Sequence, residues 1–330
     1  MKNPASGCLF GAAFGDALGA DTEFLSVAQI LAKWPPDGPQ EPRASWRVTD
    51  DTQMMLAVGE ALLPASRPHT AATLEGPLRE AFIRWADSPD NDQAPGITCL
   101  TSCAALKMGM PWTEATRPNS KGCGANMRVQ PVGVLPGVTA KTRAAIAQFQ
   151  AALTHGHPTA LAASDLTAAA IAFFIAGVRP SDLPQTLREY AHSQRRVYHE
   201  DWLGTLWQRP GIESPAQFIT QGWDECLSSL DALDAALRAG NRTEDPCRVT
   251  GAGWVAEEAF ATGLLCFLLF PDAPMDAVRR AAVSSGDSDS IACLTGAFAG
   301  AYHGLNVWPK EWVVRIEYKD RLTALGSAWD

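Results

Sequence analysis

The chain of 330 residues has little that would tie it to nucleic acid, a disulfide frame or a bilayer. Basic residues are in the minority. Against 36 Asp and Glu stand 27 Lys and Arg, a formal net charge of -9, whereas binding a phosphate backbone needs a basic face. Nucleic acid is therefore not expected as the main partner. The eight cysteines, at positions 8, 99, 103, 123, 226, 247, 266 and 293, form no Cys-x-x-Cys pair, and several fall in apolar helical stretches. Reduced, buried thiols of a cytoplasmic protein are expected, not disulfides or a zinc site. No basic segment followed by an unbroken apolar run opens the chain, because Asp16 and Asp21 interrupt it, so no signal peptide is expected. The most apolar later window, residues 259–270, is too short to span a bilayer. Repeats and linkers are lacking as well. The richest Pro, Gly and polar stretches, 34–45, 89–96 and 241–253, are short and read as loops of a single domain covering 1–330.

Alternating strand patterns are equally scarce, and what remains is helical grammar, which predicts an all-α fold. Thr49 opens a segment that runs to Leu63 and stops at Pro64; Thr70 to Trp85 and Pro158 to Gly177 read as further helices. Residues 214–240 read as two helices, with Gly222 near the break and Gly240 as the stop. Gly7, Gly11, Gly15 and Gly19 recur every fourth residue, and so do Gly296, Gly300 and Gly304. On a helix such spacing makes a ridge without side chains, suited to close backbone packing that joins the two ends of the chain.

Two segments carry the chemistry. Residues 285–294 read SGDSDSIACL, and residues 48–56 read VTDDTQMML; each sets Asp beside hydroxyl residues at the start of an apolar helix. Helix capping accounts for one such residue per helix. Four carboxylates brought together repel unless they are protonated or neutralised by cations, and oxygen-only donors suit a hard ion such as Mg²⁺, Mn²⁺ or Ca²⁺. Taken alone, these residues leave both capping and a shared metal site open.

The succession GCLFGAAFGDALGADTEF, VTDDTQMML, APGITCL, GCGANMR, THGHPTALAAS, GWVAEEAFA and SGDSDSIA resembles the ADP-ribosylglycohydrolase family across nearly the whole chain. The resemblance implies a compact single-domain helical fold with a metal cleft that takes two divalent cations, Mg²⁺ or Mn²⁺. Thr49, Asp50, Asp51, Asp287, Asp289 and Ser290 match the family's metal-ligand motifs, with Ser288 and Ser290 where Thr is usual. Glu23 resembles the catalytic acidic residue at the scissile bond. Gly122, Gly124, Ala125, Asn126 and Met127 resemble the loop whose backbone amides meet a diphosphate, with glycines supplying close approach and positive φ. His155 resembles a position beside the distal ribose, and Trp254 is a candidate to stack on adenine.

The implied activity is metal-dependent removal of ADP-ribose from a modified protein or small molecule, with arginine the default linkage and ADP-ribose the product; the loops offer no clear dimer surface, so a monomer is the default expectation. One departure bears on linkage. Ala94 occupies the place of an Asp that in one branch of the family is implicated in opening the sugar ring, and Asp90 and Asp92 lie nearby without matching. The alternatives are a non-catalytic ADP-ribose-binding relative and a metal-dependent hydrolase of small nucleotides or phosphoesters.

Overall fold

A helix face made of Gly and Ala leaves a neighbour little to bury there except backbone, and two such faces meet at the centre of the molecule. In the computed structural model, which describes residues 2–330, eighteen α-helices and two short 3-10 turns make up the fold, and no strand occurs among the described residues. Helix Pro4–Gly19 lies antiparallel against helix Ser288–His303 along the two glycine ridges. A Cβ added at Gly7, Gly11, Gly15 or Gly19 would run into the backbone at Gly300, Gly296, Ala292 or Ser288, and the relation is reciprocal at Gly296 and Gly300. Phe14, packed edge-on against Trp308 and Trp312, closes one side of the seam. Asp330 accepts from the Ala5 amide at 2.7 Å and so caps the first helix, tying together the two ends of the described chain.

Against this pair pack helices Asp50–Leu62, Pro158–Ile175 and Ala256–Leu269, with Ala140–Ala152 lying behind Pro158–Ile175, all largely buried. Pro158–Ile175 is long and apolar enough to cross a membrane by length and composition. Since 83% of it is buried inside the fold, core packing accounts for its apolarity. The eight cysteines are free thiols, and all but Cys247 are buried.

One expectation fails. Residues 214–240 form a single helix, Pro215–Ala239, with Pro215 in its first turn and Gly240 in the left-handed conformation at its end, φ 63°. Gly222 does not break it. A side chain there would strike the backbone of Pro158 and Thr159, so this glycine admits the start of a neighbouring helix without bending its own.

Candidate active site

The starts of helices Asp50–Leu62 and Ser288–His303 open on one cleft of about 390 Å³. A helix start offers unpaired amides and the positive end of the dipole, which is why carboxylates gather there. Asp50 accepts the Gly96 amide at 3.1 Å, and Ser290 N donates to Asp289 Oδ1 at 3.0 Å. Asp51 Oδ2 is buried with no protein partner. Ligand atoms of Glu23, Asp287 and Asp289 all lie within 4.8 Å of one another, and Asp50, Asp51 and Ser290 line the same cleft.

Burial pushes Asp50, Asp51 and Asp287 well above the ordinary carboxylate range, and the nearby Asp289 charge adds to it. Glu23 is pushed up to about 9, first by burial and then by Asp289, Asp50 and Asp16. Five carboxylates cannot all stay ionised in so small a space unless positive charge joins them. The unpartnered Asp51 oxygen and the all-oxygen donor set fit hard divalent cations. Cys123, also on the cleft wall, is a buried thiol that burial and the Asp287 charge hold well above its ordinary range.

Asp16 was visible in the sequence only as a charge interrupting an apolar run. It lies fully buried in helix Pro4–Gly19 and accepts from Thr49 N at 3.0 Å, from Thr52 N at 3.1 Å and from the Thr52 hydroxyl. It thereby clamps the turn that carries Asp50 and Asp51. A lone acid inside an otherwise Gly/Ala-rich apolar helix is the signal that could have singled it out. Thr49 caps its helix by accepting from Asp51 N at 3.4 Å, and its side chain also reaches Asp289 at the floor. Ser288 turns away from the carboxylates, with its hydroxyl 2.9 Å from that of Thr22.

The Gly122 loop departs from expectation in two ways. Gly122 sits at φ -57°, and Gly124 is not among the glycines of positive φ, so neither supplies a left-handed turn. Their smallness serves close approach instead, because a Cβ on Gly124 would press on Cys99 Sγ and the His155 ring at 2.8–3.0 Å. Much of the loop's hydrogen bonding is also already committed. Cys123 N donates to Trp254 O, and the amides of Asn126 and Met127 both donate to Cys123 O. Ala125 and Asn126 face the interior, where Asn126 Nδ2 donates to Ala256 O at 3.1 Å. Gly122, Gly124, Met127 and His155 line the cleft.

At the mouth, Trp254 stacks on Phe24 with centroids 5.3 Å apart and planes 16° from parallel. Phe24, which no local sequence pattern marks, holds φ 64°, an uncommon conformation for an aromatic residue, directly beside Glu23. With Ile97, 82% exposed, and Phe24, 71% exposed, the acidic floor has an apolar rim. Ala94 also lines the cleft, while Asp92 is engaged by Arg47 at 2.7 Å and Asp90 accepts from Tyr318 Oη at 2.8 Å, so neither takes the place of a carboxylate at position 94.

The model of the ADP-ribosylglycohydrolase family matches residues 2–329. The chain belongs to this family. Among curated relatives, the ADP-ribosylarginine hydrolase Tri1 of Serratia proteamaculans is 26% identical over 98% of this chain and 78% of its own length. The ADP-ribosylhydrolase ARH3 of Bos taurus is 27% identical over 98% of this chain and 91% of its own. The ADP-ribosyl-[dinitrogen reductase] glycohydrolase of Rhodospirillum rubrum is 23% identical over 97% of this chain and 92% of its own. A solved structure titled as an ADP-ribosylglycohydrolase-related protein complex shares the fold, with a TM-score of 0.69, 21% identity, and coverage of 99% of this chain and 97% of that one.

Proposed function

We propose that this glycohydrolase-family chain is a metal-dependent hydrolase that frees ADP-ribose from a modified protein or small molecule by cleaving the bond at C1 of the distal ribose, with arginine the first linkage to test. The observation that carries the reading is the gathering of Glu23, Asp287 and Asp289 within 4.8 Å, with Asp50 and Asp51 on the same floor. Asp50, Asp51, Asp287 and Asp289, with the hydroxyls of Thr49 and Ser290 beside them, would hold Mg²⁺ or Mn²⁺. Divalent cations bound there supply charge that orients ribose hydroxyls and makes water more acidic.

The chain's own groups do the rest. Asp16 fixes the Asp50 turn, so the floor is rigid before substrate arrives. Cleavage at an anomeric carbon passes through an oxocarbenium-like state and needs a group that handles a proton near the leaving atom. Glu23 meets that need. Its carboxyl stands at the edge of the acidic group on a loop pinned by the Phe24–Trp254 stack, and it takes or gives a proton according to how far neighbouring charge is neutralised. The apolar rim sheds water from the mouth, and Trp254 offers a flat face for a base.

The Serratia relative named as an ADP-ribosylarginine hydrolase supports the arginine proposal, whereas Ala94 leaves the wall without a carboxylate there and favours testing others alongside it. The experiment is time-resolved mass spectrometry of ADP-ribose carried on arginine, serine and nucleic-acid ends, with Mg²⁺, Mn²⁺ or chelator. Metal-dependent release of intact ADP-ribose from one linkage supports the proposal. Thermal stabilisation by ADP-ribose without turnover favours a binding protein, and phosphate release favours a phosphoesterase.

A further inference from the structure

We infer that Arg128 and Thr154 fix His155 as a neutral imidazole with its proton on Nε2, so that the ring presents a standing hydrogen-bond donor to an oxygen acceptor on whatever occupies the cleft. Arg128 is fully buried and forms no ion pair among the described residues, the Asp50 carboxylate acting on it only from a distance. Its five N–H groups meet five acceptors. Nε donates to Gln150 Oε1 at 2.8 Å, one Nη to Gln150 O and Thr154 Oγ1, both at 2.8 Å, and the other Nη to the sulfurs of Met54 at 3.5 Å and Cys99 at 3.7 Å. The guanidinium also lies 4.3 Å from the centroid of the Phe82 ring. Nothing about this group can rotate or lose a proton, so Thr154 Oγ1 must accept from it.

The Thr154 hydroxyl proton then has two places to go. Ala151 O is 3.5 Å away and already accepts two amides, from Thr154 N at 3.1 Å and His155 N at 2.8 Å. His155 Nδ1 is 2.8 Å away. The proton goes to Nδ1, which makes that nitrogen an acceptor and leaves the ring proton on Nε2. Nε2 faces the glycines, 3.5 Å from where a Cβ on Gly122 would stand and 3.2 Å from one on Gly124, and it has no partner among the described residues. Burial and the Arg128 charge together push the His155 pKa down to about 3, which keeps the ring neutral. Arg128 and Thr154 are thus positioning residues for a donor in the cleft. Only the identity of the acceptor, a ribose hydroxyl oxygen or a phosphate oxygen, rests on the function proposed above.

The test is a long-range proton–nitrogen correlation spectrum of ¹⁵N-labelled full-length protein at neutral pH, with His155 assigned by its loss in His155→Gln. Wild type and Thr154→Ser should show a pyrrole-type Nε2 and a pyridine-type Nδ1, whereas Thr154→Val should show a mixture of tautomers. A protonated Nδ1 in wild type, or an unchanged tautomer in Thr154→Val, would overturn the inference. On the linkage that wild type hydrolyses, Thr154→Val should raise KM about tenfold with kcat within twofold, the scale of one lost hydrogen bond, and Thr154→Ser should restore it. A KM unmoved by Thr154→Val would show that His155 does not donate to substrate. A wild-type protein inactive on every linkage would count against the proposed function, while the spectrum would still decide the tautomer.

Discussion

Helices Pro4–Gly19 and Ser288–His303 meet along a seam with no side chains, and the same pair ends at a floor crowded with charged ones. Along the seam, backbone lies against backbone and every added atom is a collision. At the floor, Gly19 packs against the backbone of Ser288 and Asp289, one residue before the chain turns toward Thr22 and Glu23. The seam brings the carboxylates together, and the carboxylates oppose that approach. Stability is stored in one stretch of the contact and stressed in the next, the arrangement expected where a rigid element must hold a site that has not been optimised for stability.

Asp289→Ala tests the stressed end and carries the largest expected effect. Hydrolysis should fall by at least about 10³-fold, roughly 4 kcal/mol of transition-state stabilisation, because a floor carboxylate is gone. Metal-free protein should melt higher than wild type, since burial and mutual repulsion no longer act on the full set. Calorimetry with and without Mg²⁺ reads both sides. A variant that is less stable without metal would show that the carboxylates are not in conflict and would dissolve the contrast with the seam.

Gly15→Ala tests the other end. The new methyl would meet the backbone of Ala292 and Cys293, where no rotamer can yield, so a loss of about 3 kcal/mol is expected by denaturant titration. Substrate affinity should change little in the fraction that folds. Equal losses of stability and of metal binding would mean that seam and floor are one unit.

The sequence made the two ends legible to different degrees. Glycines every fourth residue and Asp beside Thr or Ser at a helix start are local patterns, readable because helix geometry turns spacing into a face. Asp16 clamps a turn 33 residues away, and Arg128 reaches the His155 segment through Thr154 and Gln150; those partners exist only after folding, so spacing carried no trace of them. Gly222 misled for the same reason. A glycine within a helix reads as a weak point when its neighbour is unknown, and here the neighbour is the start of another helix. Positive φ was expected in the Gly122 loop and occurs at Phe24, because the fold places strain where the Trp254 stack holds it.

Asp165 sharpens the comparison with a buried carboxylate outside the cleft. It accepts from Tyr190 Oη at 2.7 Å and Gln148 Nε2 at 2.9 Å, yet burial still pushes it up to about 6. Its folded pKa exceeds the unfolded value near 3.8, so between about pH 4 and 6 the native state binds more protons than the unfolded one. Stability contributed by this group therefore falls as pH rises through that window and stays lower above it. Asp165→Asn should match wild type near pH 4 and exceed it by about 3 kcal/mol above pH 7. Gln148 Oε1 has no partner and can accept from the new amide once Gln148 turns over. Melting both proteins across pH with Mg²⁺ saturating keeps the cleft out of the difference. A gap that does not depend on pH would mean that the side chain acts through packing, and that buried charge is costly only where carboxylates crowd.

The smallest effect lies at the far end of the seam. Asp330 accepts from the amides of Ala5 at 2.7 Å and Ser6 at 3.2 Å, supplying the cap that Asn3 does not, since Asn3 makes no side-chain hydrogen bond to the helix. Asp330→Asn keeps an acceptor oxygen but removes the charge facing the helix dipole, so a loss of about 0.5–1 kcal/mol is expected, shrinking as salt is added. Helix Pro4–Gly19 thus carries a carboxylate at each end. The one at its start is exposed and stabilises the helix; Asp16 near its finish is buried, pushed up to about 7, and holds another helix's turn in place. If Asp330→Asn cost as much as Gly15→Ala, the first helix would be held mainly by its cap, and the glycine seam would be a consequence of the contact, not its cause.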